Sequence, residues 1–473
     1  MEAVLQGLIE GFREELTADT MRILRLPSVI GRPAGGAPFG REINEALRAV
    51  LALGREMGFS CRSLDGYAGV VDYFCGDANA SPLGILAHID VVPPGEGWSR
   101  PPFGALLQDG RIYARGALDD KGPLMAALYA MRAVKEAGLP LSRPVRLIIG
   151  CDEESGFRCM KHYLKHESPP VFGFVPDAGF PLVFAEKGIF QFRVGCPPQP
   201  GAQKGDIELL SLRGGDAVNM VPACAAAQLR VTAAGQERME RACAGFAGKG
   251  RLSLHTEGEI ARVSAAGRAA HASLPESGEN AITLLLDFLC GLTLVPGDKT
   301  SFINALCRLF GGDSAGSGAG IAVSDEMSGP LTLSLNMIEV NEDVAEANLD
   351  MRYPVTAEFA PLWRKLTEAC AASGLEVHAG QHKEPLFAEK ESPLVATLLQ
   401  VYRDVTGDAS PPLAIGGGTY SRAMKNFVAF GPLLPGRESL AHRADEYIET
   451  ADLLLITKIY AEAIYRLAGV CRL

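Results

Sequence analysis

Leu86-Ala87-His88-Ile89-Asp90-Val91-Val92-Pro93 closes an apolar run that begins at Leu83. The run has the length of a buried strand, and it stops on a histidine and an aspartate two residues apart. Residues two apart on a strand share a face. Asp90 can therefore lie beside the His88 ring, where a carboxylate fixes the tautomer and makes the other ring nitrogen a better ligand. A second apolar run, residues 145–149, ends at Gly150. Between them, residues 122–137 carry helix-forming Leu, Met and Ala. Strand, helix, strand at this spacing predicts a sheet with crossover helices, hence an α/β core. Such sheets take ligands in the crevice beyond the strand ends.

Outward from this core, residues 1–26 read as an amphipathic helix without the basic start, apolar block and cleavage site of a signal peptide. Residues 41–57 form another helix, ended by Gly58. The middle of the chain differs. Residues 189–194, 208–212, 225–231, 259–264, 331–339 and 347–352 read as strands, and 281–292 as a helix. The Gly/Ser-rich residues 311–320 read as a mobile surface loop. This texture predicts an α+β insertion of about 200 residues. Helical pattern returns at 393–405, followed by a glycine turn at 416–418 and a last helix from Thr450.

Composition narrows the function. A chain of 473 residues is long enough for two domains. Lys plus Arg number 45 against 56 Asp plus Glu, a net charge of −11, and no basic stripe is present. That balance argues against nucleic acid or an anionic membrane as partner. The longest apolar stretch, near residues 284–295, is interrupted by Asp287 and is too short to cross a bilayer. Eleven cysteines run from Cys61 to Cys471 with no C-x-x-C pair. This usage fits buried thiols in a reducing compartment, so a cytoplasmic enzyme is expected.

The chemistry lies at the strand ends. Arg115-Gly116-Ala117-Leu118-Asp119-Asp120-Lys121-Gly122-Pro123 stands directly before the helix at 122–137. Ile148-Ile149-Gly150-Cys151-Asp152-Glu153-Glu154-Ser155-Gly156 ends one apolar run in three acids, and Val175-Pro176-Asp177-Ala178-Gly179 ends another. Taken singly, these are also a helix cap, a solvated turn and a surface histidine. Together they set like charges around one crevice, and divalent cations are the simplest offset. Mixed imidazole and carboxylate donors suit zinc, with manganese or cobalt as alternatives. Of the other histidines, His162 and His166 are four apart but lack the glutamate of H-E-x-x-H, so they are assigned to a surface helix. His255, His378 and His382 have no acidic strand end beside them.

The segments A-H-I-D-V-V-P, W-S-R-P-P-F, R-G-A-L-D-D-K-G-P, D-E-E-S-G-F-R-C-M, V-P-D-A-G-F-P, G-R-A-A-H-A-S-L-P-E-S-G-E-N-A, L-D-M-R-Y-P, G-G-G-T-Y and A-H-R-A-D-E-Y follow one another along the chain. In this order they resemble the metallopeptidase family of carnosinase, aminoacylase and succinyl-diaminopimelate desuccinylase, and its PepV-type bacterial dipeptidases above all. The resemblance implies two Zn2+ ions (or Mn2+ or Co2+) bridged by Asp119. His88 and Asp177 would complete one site, and Glu154 and His442 the other. It implies Glu153 as general base, Asp90 as the residue orienting His88, and His271 as oxyanion stabiliser. Arg352 would hold the substrate's carboxylate, with Asn219 and the Gly418-Thr419 backbone nearby. Two departures, Ala114 and Ala444-Asp445, bear on substrate preference and not on ligand positions.

These readings combine into one expectation. An α/β catalytic domain of residues 1–186 and 385–473 carries a di-zinc peptidase site, and an α+β lid of residues 187–384 is inserted in it. The activity implied is hydrolysis of dipeptides with a free C-terminal carboxylate, by a metal-bound hydroxide and a glutamate base. The alternatives are an N-acyl amino acid deacylase and an inactive metal-binding protein. The long insertion implies that a monomer is catalytically sufficient.

Overall fold

The structure is a computed structural model that describes residues 2–77, 79–196 and 205–469, so Met1 and Cys471 lie outside the described residues. The chain divides into two units. One comprises Met1–Phe184, Ala388–Leu413 and Gly418–Leu473, and the other Ala185–Phe387 and Ala414–Gly417.

In the first unit the run that opens the sequence reading is strand Leu83–His88, buried along its whole length. It pairs in parallel with Val145–Gly150 on one side and Phe172–Val175 on the other. Phe427–Ala429, from the C-terminal part of the chain, pairs in parallel with Phe172–Val175. Antiparallel Ala68–Tyr73 and Ser60–Leu64 extend the sheet beyond Val145–Gly150. Strands inside a parallel sheet are covered on both faces, which is why they read as unbroken apolar runs. Helices Lys121–Glu136 and Thr450–Ala468 pack on Leu83–His88, and Arg41–Glu56 and Arg158–His166 pack on Ala68–Tyr73. Four parallel strands therefore deliver their C-terminal ends to one edge: His88, the Cys151–Glu154 turn, Asp177 and the turn after Ala429.

The N-terminal segment is two helices, Glu2–Gly11 and Arg13–Leu24, where one was expected. Glycine is a weak helix former. Phe12 between them keeps helical dihedrals and the i→i−4 bonds to Leu8 and from Leu16, so the two run nearly as one helix, and its buried ring is edge-on to Tyr129 at 5.9 Å.

The second unit is built on an antiparallel sheet of eight strands. Their order is Leu252–Glu257, Ile260–Ala266, Cys224–Val231, Ile207–Gly214, Thr332–Val340, Ala345–Tyr353, Gly188–Gly195 and Glu376–Lys383. Alternation along Cys224–Val231 sends Ala225, Ala227, Leu229 and Val231 inward. Helices Ala281–Cys290 and Asp298–Phe310 contribute Leu285, Leu289, Phe302 and Leu306 to the same core. Asn280 caps the first of these by accepting from the amides of Ile282 and Thr283.

Residues 311–320, expected as a mobile surface loop, form a largely exposed turn with several internal hydrogen bonds. The Asp313 carboxylate accepts from Ala315 and Ser317 amides at 2.8 and 3.2 Å. Ala319 and Ile321 are buried, and Leu333 donates to the Ser314 carbonyl at 2.7 Å. Glycine and serine suit such turns.

One glycine couples the sheet to the site. A Cβ at Gly150 would stand 1.9 Å from the Tyr420 hydroxyl, which bonds Cys159 Sγ at 2.6 Å. Gly150→Ala must displace that ring, and overpacking of this kind costs about 1–3 kcal/mol. The variant should melt several degrees lower in calorimetry; an unchanged melting temperature would show that the ring moves freely.

Candidate metal centre and the residues around it

His88 ends its strand fully buried. Its Nδ1 donates to the Asp90 carbonyl oxygen at 3.0 Å. A carbonyl only accepts, so in the neutral ring the lone pair lies on Nε2. Nε2 faces Asp119 Oδ1 at 3.0 Å and Asp177 Oδ2 at 3.8 Å. The other Asp119 oxygen, Oδ2, faces His442 Nε2 at 3.0 Å, and the same nitrogen meets Glu154 Oε1 at 3.0 Å. One carboxylate thus presents an oxygen to each of two imidazoles. His88, Asp119 and Asp177 form one group, and Asp119, Glu154 and His442 another, with donor atoms in each within 4.8 Å of one another.

Asp90 meets the His88 ring through both its main chain and its carboxylate. The main-chain oxygen takes the Nδ1 proton, while the carboxylate stands 3.6 Å from that nitrogen. Both carboxylate oxygens are engaged by the Glu153 and Glu154 amides, at 3.1 Å each. Residue 90 follows the strand, where alternation no longer governs side-chain direction. Asp90 therefore positions the turn that carries the two glutamates as well as the ring.

Glu446 is a residue that the sequence reading missed. Fully buried, it pairs with Arg115 Nη1 at 2.6 Å. It also accepts from the amides of Gly116, Leu118 and Asp119 at 3.1, 2.8 and 3.2 Å. The segment carrying Asp119 is folded around this carboxylate, and His442 lies four residues before it. Nothing local in A-D-E-Y reveals this; the only signal is an acid close to a candidate ligand. Asp120 caps the other side by accepting the His88 amide at 3.1 Å.

Electrostatics follow from the crowding. Burial opposes charge on His442, but hydrogen bonds to Asp119 and Glu154 outweigh it and raise its pKa to about 11. Burial likewise opposes ionisation of Asp119, yet the His442 and His88 contacts hold its carboxyl well below the usual range. Glu153 is pushed up to about 8, first by burial and then, against the pull of His88, by the Glu154 and Asp119 carboxylates. Burial and Asp119 raise Asp177 as well. So many carboxylates cannot all ionise here unless added positive charge meets them. The donors, two imidazole nitrogens and carboxylate oxygens in two groups sharing Asp119, fit a pair of divalent cations.

In the second unit, His271 pairs in register with Met220, and the Asn219 main-chain carbonyl accepts the Ala272 amide at 2.9 Å, so the backbones of His271 and Asn219 are neighbours. The Ser273 amide donates to His271 Nδ1 at 3.2 Å, which leaves hydrogen on Nε2 of the neutral ring. Arg352 is buried; its Nε and Nη2 grip Asp350 at 2.5 and 2.9 Å, and Nη1 donates to the Gly416 carbonyl at 2.9 Å. Gly416 in turn lies against Ser273, so close that a Cβ there would stand 2.7 Å from the Ser273 Cβ. Asp350 was also missed, although its place two residues before Arg352 on a strand puts both on one face. Gly418 and Thr419 belong to the first unit. The Thr419 hydroxyl donates to Ser421 Oγ at 2.9 Å and accepts the Ser421 amide at 3.2 Å, capping the short helix Tyr420–Ala423.

The chain is 42% identical over 468 residues to "Putative dipeptidase YtjP" of Bacillus subtilis (strain 168), an alignment covering 96% of this chain and 98% of that one. Its fold resembles human carnosine dipeptidase 1, with a TM-score of 0.60 at 14% identity, covering 99% of this chain and 98% of that one. It also resembles the aminoacylhistidine dipeptidase of Vibrio alginolyticus, with a TM-score of 0.59 at 14% identity over 95% and 96% of the two chains. A family model matches residues 84–466, a span that contains every candidate metal ligand from His88 to His442. The chain belongs to peptidase family M20/M25/M40.

Proposed function

We propose that this protein is a cytoplasmic dipeptidase that uses two divalent cations, zinc in the first instance, to hydrolyse dipeptides with a free C-terminal carboxylate. The observation that carries this reading is Asp119, whose two oxygens each stand 3.0 Å from an imidazole of a separate donor group. The name of the Bacillus relative supports the substrate class. The cysteine usage supports the location.

His88, Asp119 and Asp177 would hold one cation, and Asp119, Glu154 and His442 the other. Bound there, the pair supplies Lewis acidity, which lowers the pKa of a water and offsets charge developing on the attacked carbonyl. Glu153, with its amide anchored by Asp90, takes the proton from the attacking water and passes it to the leaving amine. Such transfer is commonly worth roughly 10²–10⁴-fold. For the second unit the proposed roles are chemical. His271, with hydrogen on Nε2, is suited to donate to an oxyanion. Arg352 has five N–H donors, of which Asp350 and Gly416 engage three. The others suit the substrate's carboxylate, with Asn219 and the Gly418-Thr419 backbone as further polar partners.

The deciding experiment is a hydrolysis screen of dipeptides, amidated dipeptides and N-acyl amino acids, run on the monomeric fraction with zinc, manganese or cobalt. Dipeptides should be cleaved best and the metal-free protein should be inactive. Preference for N-acyl amino acids would make it a deacylase, and no turnover with any metal would leave a metal-binding protein. Glu153→Ala should lower kcat at least 100-fold while elemental analysis shows unchanged metal content; retained turnover would remove it as the base. Arg352→Ala would strand the buried Asp350, so the sharper variant is Arg352→Lys, which keeps the charge and loses the planar fork. It should raise KM for free dipeptides about tenfold or more, with little effect on amidated ones. Equal losses on both would count against carboxylate recognition.

A further inference from the structure

The histidine pair assigned to a surface helix has a third member. Helix Arg158–His166 carries His162 and His166 one turn apart, with ring centroids 4.2 Å from each other. The turn between strands Ser60–Leu64 and Ala68–Tyr73 brings up Asp65, whose Oδ2 stands 3.0 Å from His162 Nε2. Asp65 has a φ of 52°, which aspartate tolerates better than most residues. One donor atom from each of Asp65, His162 and His166 lies within 4.8 Å of the others.

We propose that Asp65, His162 and His166 form a third metal site, distinct from the centre around Asp119, that takes a borderline dication such as zinc, nickel or copper. Two features orient the rings. His166 Nδ1 donates to the His162 carbonyl at 2.9 Å, which leaves the Nε2 lone pair of the neutral ring for a metal. Tyr67 stacks flat on His162 at 4.1 Å with an interplanar angle of 12°, which fixes that ring. The first is the supporting contact that metal-binding histidines ordinarily have. Ligands around tetrahedral zinc stand about 3.4 Å apart, so closure requires the exposed His166 ring to turn out of its 32° tilt against His162 until both lone pairs face one ion. Two imidazoles and one carboxylate select such metals over magnesium or calcium, which prefer all-oxygen shells. Lys161 and Lys165 each precede a histidine by one position and so project about 100° away around the helix.

A metal here would tie the Asp65 turn to a helix that begins four residues after Glu154. Asp152, between the strand and that helix, accepts from the Arg158 amide at 2.9 Å and pairs with its guanidinium. The ion would act as a clip on the segment leading out of the catalytic turn.

The test compares full-length wild type with His166→Gln and Asp65→Asn, both at exposed positions. After equilibrium dialysis against micromolar zinc, elemental analysis should find one equivalent fewer in His166→Gln than in wild type. Asp65→Asn should bind that equivalent at least tenfold more weakly, and dipeptide hydrolysis should be unchanged in both. Copper(II) exchanged into the Asp65 site of wild type, with zinc kept at the Asp119 centre, should show two-nitrogen hyperfine structure in its paramagnetic resonance spectrum, reduced to one nitrogen in His166→Gln. The reading is a difference between variants, so it stands whatever number of ions the Asp119 centre holds. Equal zinc content in wild type and His166→Gln, or the same copper spectrum from both, would overturn the third site.

Discussion

Like charges resist being gathered, and the first unit gathers them. Asp119, Glu153, Glu154 and Asp177 meet where parallel strands end, with His88 and His442 as their counterweights among the described residues. The parallel sheet makes this unavoidable, because it points the C-terminal ends of neighbouring strands the same way. A site of this kind is unsatisfied until cations arrive, and the surrounding structure must hold it in shape against its own repulsion.

That holding is done by carboxylates that are not themselves in the cluster's front rank. Asp90 uses its two oxygens on the Glu153 and Glu154 amides and its main chain on the His88 ring. Glu446 takes three amides of the Asp119 segment together with the Arg115 guanidinium. Breaking a buried ion pair of this type by removing one partner costs about 3–5 kcal/mol. Rigid donors arranged by such contacts keep the separation of the two donor groups set before any ion binds. The second unit follows the same rule, since Asp350 aligns Arg352 along a strand before any ligand is present.

How much of this could be read beforehand differs by element. Runs such as 83–87 and 145–149 were legible because burial on two faces leaves an unbroken apolar signature. The antiparallel strands of the second unit were legible by alternation. The one-residue irregularity at Phe12 and the hydrogen bonds that shape residues 311–320 were not, because both depend on what the chain packs against. His162 and His166 were visible as a helical pair, but Asp65 lies almost a hundred residues earlier and reaches them only through the sheet.

By itself the sequence determined which chemistry is available: acids and imidazoles at the ends of apolar runs, a negative overall charge, and motifs in a family's order. Those properties are local, and local order survives in a string of letters. Only the tertiary structure decided which oxygen faces which nitrogen: that Asp119 stands between two imidazoles, that Asp90 serves the glutamate turn, and that Glu446 is the anchor beneath them. Such pairings join residues up to about three hundred and thirty positions apart. They are set by strand register and side-chain packing, which no single stretch of the chain contains.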